Sequence, residues 1–109
     1  MEIIITGRHY EVSDNLKDLA IRKVKKLVKL APYVQKIDVI FSQQKFRHQA
    51  EILVTADHFS LGALGEHEDV QTSLDDALAK LENRLRRHKE KFLAKKHIRK
   101  TEKEEEEEE

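Results

Sequence analysis

The sequence contains no cysteine and no tryptophan, and it has one proline, three glycines and six aromatic residues among 109. Without cysteine, a disulfide scaffold and a thiolate metal site are excluded, which fits a cytoplasmic protein. No apolar run approaches the ~18 residues of a transmembrane helix, and the first residues lack the basic and apolar regions of a signal peptide. We therefore expect one cytoplasmic domain with a single modest core.

The formal net charge of zero hides two segments of opposite sign. Residues 101–109 contain seven acids and one base, a net charge of −6, whereas residues 1–100 contain 20 bases and 14 acids, a net charge of +6. Within residues 80–100, ten Lys or Arg stand against two Glu. We predict a basic domain over residues 1–100 and a disordered acidic tail over residues 101–109, because a charge run cannot form a core.

Hydrophobic periodicity predicts the element order β-α-β-β-β-α. Residues 2–7 are a β-branched run closed by Gly7, which predicts a first strand, and alternation typical of strands occurs in residues 36–44, 48–57 and 58–65. Helical spacing predicts a first helix that begins after Ser13 and ends before Pro32, and a second that begins at Asp69 and runs toward residue 100. Each helix has one apolar stripe, so both should pack on one face of a four-stranded sheet. This α+β fold is similar to that of double-stranded-RNA-binding domains.

Basic residues gather on one side of each predicted helix. In the second helix, a narrow sector beside the apolar stripe contains Lys80, Arg84, Arg87, Lys91 and Lys95. The first helix carries its bases opposite the core and at the flanks, at Arg22, Lys25, Lys26, Lys29, Lys17 and Lys23. Opposite charges at i+4 are nearly absent, so a polyanion such as nucleic acid should supply the countercharge. The alternative is a solvated, lysine-rich surface.

The scarcity of aromatic residues argues against stacking platforms for single-stranded bases. Recognition of structured RNA through its backbone shape suits the basic faces better. An acidic protein is an alternative partner, whereas a membrane is not expected, because no bulky apolar face remains free for lipid.

Nothing in the sequence supports catalysis. The six histidines are scattered, and none lies at i+3 or i+4 from another, the spacing of helical metal ligands. Gly62 and Gly65 match the GxxG string of KH domains, but they fall in a predicted strand, where close packing or a bulge is the expected explanation. We therefore expect no enzyme, no cofactor, no metal and no small-molecule substrate.

One pattern extends along both helices. Residues 66–91 combine an acidic lead-in with Asp69, Leu74, Asp75, Lys80, Leu81, Leu85, Arg87, Lys89 and Lys91. The first strand and helix add Ile5-Thr6-Gly7, Leu16, Lys17, Lys23, Lys26 and Leu27. Over residues 2 to about 93 this resembles the family of ribosome hibernation-promoting factors and ribosome-associated inhibitors (protein Y). The chain departs from the family at Val70-Gln71, where Met-Tyr is typical, and at Asn83-Arg84, where Arg-Gln is common.

The resemblance implies a protein that binds the small ribosomal subunit and the intact ribosome and is monomeric off the ribosome. It implies occupancy of the region used by messenger RNA and by A- and P-site transfer RNA, near the decoding centre. Translation would then be inhibited by steric exclusion during stress or stationary phase. The chain resembles the short forms, of which some promote ribosome pairing and others oppose it. The acidic tail would lie in the messenger RNA channel, screen the basic face, or simply aid solubility.

The charge pattern and the resemblance together predict the RNA-binding residues. They are Lys23, Lys26, Lys80, Arg84, Arg87, Lys91, Arg22, Lys29, Lys89 and Lys95. Two other hypotheses stay open, a general structured-RNA-binding module and a protein-interaction module for an acidic partner.

Overall fold

A computed structural model describes the backbone of residues 2–31 and 33–97, and the side chains of these residues except 28 and 89–97. The elements are β1 (Glu2–Gly7), α1 (Asp14–Leu30), β2 (Lys36–Gln44), β3 (Arg47–Thr55), β4 (Ser60–His67) and α2 (Val70–His97). This confirms the predicted order β-α-β-β-β-α. The predicted acidic tail, residues 101–109, lies outside the described residues.

The four strands form one mixed sheet in the order β1-β2-β3-β4. β1 runs parallel to β2, and the other neighbours are antiparallel. The register aligns Ile5 with Val39, Val39 with Ile52 and Ile52 with Ala63, so one row of apolar side chains crosses the sheet. Alternate side chains of a strand point to opposite faces, and this row therefore marks the face that the core occupies.

Both helices pack on this one face, as the single apolar stripe on each predicted. The buried helical residues are Leu16, Ala20, Val24 and Leu27 of α1 and Leu74, Ala77, Leu78, Leu81 and Leu85 of α2. The sheet contributes Ile37, Val39, Phe41, Ala50, Ile52, Val54 and Ala63. Burial of this continuous apolar surface is the main stabilising term of the fold. The other face of the sheet has no helix over it in the described part of the chain.

The connection between β3 and β4 differs from the prediction. Strands were expected at residues 48–57 and 58–65 with a tight turn at Asp57-His58, but β3 ends at Thr55 and β4 begins at Ser60. The backbone N–H of Ala56 donates to the carbonyl of Phe59 at 3.0 Å, which closes a longer turn. Alternation misled the prediction because Ala56 and Phe59 remain buried or half-buried although they lie in the turn.

The Phe59 side chain anchors the middle of α2. Its ring stacks on the His88 imidazole, with centroids 3.9 Å apart and planes 28° from parallel. Tyr33 meets the Phe59 ring edge-on at 5.7 Å. These rings fix α2 over the start of β4 and so position the basic residues at this level of the helix.

Candidate nucleic-acid interface

α1 exposes its bases because its opposite face is held on the sheet. Ser13 caps the helix, and its Oγ accepts a hydrogen bond from the Leu16 N–H at 3.1 Å. This confirms the predicted helix start, and Asp14 adds an acid to the first turn, where the helix dipole favours it. The bases on the outward side that the structure leaves exposed are Arg22, Lys25, Lys26 and Lys29. Their RNA-binding role stays a prediction.

Lys23 is placed differently from these four bases. Its Nζ lies 2.6 Å from Oδ1 of Asp75 in α2, and the side chains are 28% and 54% exposed. The pair bridges the two helices where they meet, so part of the Lys23 charge is already matched within the protein. The expectation of unpaired charges did not include contacts between helices, and within α2 the i,i+4 pair of Asp76 with Lys80 at 3.2 Å is an exception to it.

The basic flank of α2 lies along β4, an edge strand of the sheet. Lys80 Nζ donates to the carbonyl of Leu64 at 3.0 Å and lies 3.2 Å from Asp76 Oδ2, one turn earlier in the helix. Arg84 donates a hydrogen bond to the carbonyl of Gly62. These contacts engage the charged ends of two predicted site residues, whose side chains remain solvent-accessible. Arg87 follows on the same flank and is exposed.

Three of the predicted site residues lie within α2, but the structure describes only their backbone and not their side chains. They are Lys89, Lys91 and Lys95. Sequence reasoning did not select Arg86, which the structure leaves exposed on α2. The narrow sector used for the prediction excluded it, although the exposed side of a helix is wider than that sector. Arg86 is an additional candidate contact.

The two faces of the molecule differ in charge. On the open face of the sheet, bases and acids are near one another in three pairs, Lys36 with Asp38 at 3.8 Å, Arg47 with Glu66 at 3.3 Å, and Arg8 with Glu51 at 3.7 Å. On the helical layer, two ion pairs are found among the described residues, Lys23–Asp75 and Lys80–Asp76. The outward-facing bases outnumber these two pairs. A polyanion is therefore attracted to the helical layer and not to the open face.

A shallow depression of about 560 Å³ lies between the beginnings of the two helices. Its lining includes Tyr10, Glu11, Asp18, Arg22 and Gln71. Both signs of charge are present, so the depression does not form an anion site. Gln71, at a position where the resembled family typically has tyrosine, is one of the lining residues.

Titratable groups near this end have structural roles. The Tyr10 hydroxyl contacts Nδ1 of His48 at 3.3 Å, and partial burial raises the pKa of Tyr10. The Asp69 carboxylate accepts hydrogen bonds from the Thr72 hydroxyl at 2.8 Å and the Thr72 N–H at 2.9 Å. These two bonds lower the pKa of Asp69 and mark it as the cap of α2. Among the described residues, no three His, Asp or Glu side chains are grouped to hold a metal ion.

Within residues 2–31 and 33–97, neither helix has a stretch that is both long and apolar enough to cross a bilayer. The two helices present a set of cations at fixed positions on one layer of the fold. Such a surface can bind phosphates without any covalent step.

Comparison with known proteins extends this description. The family described as sigma 54 modulation protein / S30EA ribosomal protein matches residues 3–92. The chain is 29% identical over 91 residues to the ribosome hibernation promoting factor of Pseudomonas putida, with 84% of this chain and 89% of that protein covered. It is 28% identical over 93 residues to the factor of the same name from Azotobacter vinelandii, covering 85% and 87%.

A solved structure gives the same result for the fold. A ribosomal subunit interface protein from Coxiella burnetii superposes with a TM-score of 0.77 at 25% identity, covering 82% of this chain and 98% of that one. The resemblance stated from the sequence is thereby confirmed. Since the family match extends over most of its length, the chain belongs to the sigma 54 modulation protein / S30EA ribosomal protein family.

Proposed function

We propose that this protein is a ribosome-binding hibernation factor that acts in the cytoplasm by binding alone, without catalysis. The observation that carries the proposal is the layer of two helices with exposed bases, found in a chain whose relatives are named ribosome hibernation promoting factors. A fixed set of cations suits ribosomal RNA, because phosphate contacts position a protein on RNA and release bound counterions.

We propose further that the protein inhibits translation by occupying a site on the small ribosomal subunit. The protein occupies the region of the small ribosomal subunit that messenger RNA and A- and P-site transfer RNA use, and it does so under stress or in stationary phase. α1 and α2 attach to the RNA backbone, and the rigid body of the domain excludes the translation substrates. Support comes from the family resemblance and from the exposed Lys26, Arg84 and Arg87.

The first test is cosedimentation of the protein with purified ribosomes and small subunits on sucrose gradients. Binding should saturate at one copy per small subunit and weaken by about a thousand-fold or more between about 50 and 200 mM salt, as six to ten phosphate contacts require. The position of the ribosome peak reports whether ribosomes pair. Absence of binding at the lowest salt would exclude the proposal.

A matched pair of variants tests the surface. Arg84→Glu with Arg87→Glu reverses two bases on α2 and should weaken binding by about 50-fold or more, since each phosphate contact is worth close to tenfold near 0.1 M salt. Arg8→Glu with Lys36→Glu changes the net charge equally on the open face, where these bases sit beside acids. The second variant should bind like the wild type. Equal losses in both would show that net charge, not the helical layer, governs binding.

The sheet with two helices on one face also fits a general structured-RNA-binding module. In that case an arbitrary RNA duplex and the ribosome would bind with similar affinity. Ribosomal association that survives nuclease treatment would instead indicate an acidic protein partner.

A further inference from the structure

The tip of the β2–β3 hairpin joins an exposed aromatic ring to the cation of Lys45, next to the Arg47–Glu66 ion pair at 3.3 Å. Gln44 pairs with Arg47 in the strand register, so Lys45 and Phe46 alone form the loop. Phe46 is 70% exposed, more than any other large hydrophobic side chain in the described part of the chain, the next being Leu64 at 47%. The ring therefore stands in solvent at the end of two paired strands.

The backbone of the loop is also unusual. Lys45 has φ of 57°, in the left-handed region that glycine adopts most easily. Two-residue hairpin loops need such a positive φ, and Gly, Asn or Asp normally supplies it. The Gln43 side chain donates to the Lys45 carbonyl at 3.1 Å and holds the loop in place. The turn geometry accounts for the positive φ of Lys45. The exposed ring of Phe46 adds little burial to the fold and is free to contact a partner.

The surroundings of Phe46 indicate the kind of partner. Gln43 and Gln44 are exposed polar neighbours, and Arg47 is exposed but lies 3.3 Å from the Glu66 carboxylate. Leu64, the next most exposed apolar side chain, pairs with Glu51, and this position is about 14 Å along β3 from Arg47 at about 3.4 Å per residue. Lipid and hydrophobic protein partners need a continuous apolar patch, which the tip does not offer. A single flat ring beside amides and the Lys45 cation suits stacking on a nucleobase.

The tip is separate from the cations of α2. His48 pairs with His67, so the hairpin tip lies beside the end of β4 and the start of α2. α2 runs back from that end, and Arg84 follows Val70 by about 21 Å at 1.5 Å per residue. The molecule measures 51 × 26 × 18 Å, so the tip and the α2 flank can contact different parts of one RNA.

We infer that the β2–β3 hairpin tip is a base-stacking contact for structured RNA. Phe46 stacks on an unpaired nucleobase, and Lys45, for which no ion pair is found among the described residues, meets an adjacent phosphate. The inference rests on the proposed function in taking RNA as the partner. The scarcity of aromatic residues argued against a stacking platform for several bases. A contact with one base needs only one exposed ring.

Three substitutions at Phe46 test the inference by cosedimentation with ribosomes. Phe46→Ala should weaken binding by about 5- to 100-fold, the usual effect of losing one stacked base, while the salt dependence stays unchanged. Phe46→Leu should lose as much, because leucine has no flat π face, and Phe46→Tyr should bind like the wild type. Wild-type affinity in Phe46→Ala would overturn the contact. Wild-type affinity in Phe46→Leu would indicate a hydrophobic protein contact and overturn stacking.

A fluorescence measurement decides the inference even if ribosome binding fails. The chain has no tryptophan, so Phe46→Trp creates a single reporter at the tip. An RNA hairpin with one bulged adenine should quench it, and the same hairpin fully paired should not. No quenching by either RNA, or equal quenching by both, would overturn base stacking. Failure of the wild type to bind ribosomes would remove the proposed function alone.

Discussion

At the scale of single residues, Asp69 fixes the start of α2. Its carboxylate accepts bonds from the hydroxyl and then the N–H of Thr72, and both favour the charged form, so the pKa of Asp69 lies below its ordinary value of 3.8. A carboxyl group whose pKa is lower in the folded state stabilises the fold fully above the unfolded-state pKa. That contribution is lost as the pH falls through the lowered pKa.

Replacing the Thr72 hydroxyl should move this titration. Thr72→Val keeps the shape and the backbone donor but removes the hydroxyl donor, so the pKa of Asp69 should rise toward its ordinary value. Carbon-detected NMR titration of the Asp69 carboxyl in both proteins measures the change. Asp69→Asn is the control, since an amide also caps a helix but does not titrate. An identical Asp69 titration in wild type and Thr72→Val would contradict the assigned cause.

Lys23 illustrates which single-residue features the sequence reveals. A helical wheel places it beside the core of α1, and the structure agrees by leaving it partly buried. Its partner Asp75 is 52 positions away in the chain, so no local pattern could predict the ion pair. The caps Ser13 and Asp69 were predictable because helix capping depends on neighbours within one turn.

At the scale of elements, the packing of α2 on β4 depends on a missing side chain. A Cβ atom at Gly65 would collide with the Ser73 carbonyl and lie 2.6 Å from the Ala77 backbone nitrogen. No glycine in the described residues has a positive φ, so Gly65 is required for space and not for backbone conformation. This explains the GxxG string as close helix–strand packing, one of the two explanations expected from the sequence.

Adding one methyl group at this contact should therefore be costly. Gly65→Ala must push α2 away from β4, and we expect the free energy of unfolding to fall by about 3 kcal/mol. Gly62→Ala is the matched control, because its Cβ would meet mainly the end of the Leu53 side chain, which can move. Urea denaturation compares the two variants. A loss in Gly65→Ala no larger than that in Gly62→Ala would contradict this account of the packing.

The sequence pattern predicted the strands and helices but did not predict where the turn between β3 and β4 lies. Three strands and both helices were predicted because burial on one face imposes a period of two or of 3.6 residues, and β1 was predicted from its β-branched run. The β3–β4 turn was placed wrongly because Phe59 leaves the strand yet packs on His88, a contact that depends on where α2 lies. Alternation records burial, and burial in a turn looks the same as burial in a strand.

At the scale of the whole molecule, charge is divided between two faces. The open sheet face holds bases and acids in pairs, whereas the helical layer carries Arg22, Lys26, Lys29, Arg84 and Arg87 as exposed bases. The sequence predicted the basic sides of the two helices, since each helical wheel separates bases from core, but it did not predict the paired charges on the open face of the sheet. How the two basic sets lie relative to each other required the structure, because it depends on the packing of α1 beside α2.

If both helices bind one RNA together, their contributions should add. An α1 variant carries Arg22→Gln, Lys26→Gln and Lys29→Gln, and an α2 variant carries Arg84→Gln and Arg87→Gln. Each lost phosphate contact lowers the slope of log affinity against log salt by about 0.9. Ribosome affinities measured over a salt series should therefore show slopes reduced by up to about three for α1 and about two for α2, with the sum in the combined variant.

The combined variant distinguishes joint binding from binding by α2 alone. Arg8→Gln with Lys36→Gln serves as the control and should leave the slope unchanged, since both bases lie on the open face beside acids. If the combined variant loses no more than the α2 variant, the bases of α1 form a solvated surface and contact no phosphate. If the slope reductions of the two variants add in the combined variant, one RNA surface contacts both helices at once. Contacts made in separate binding events would not add in the salt dependence of a single affinity.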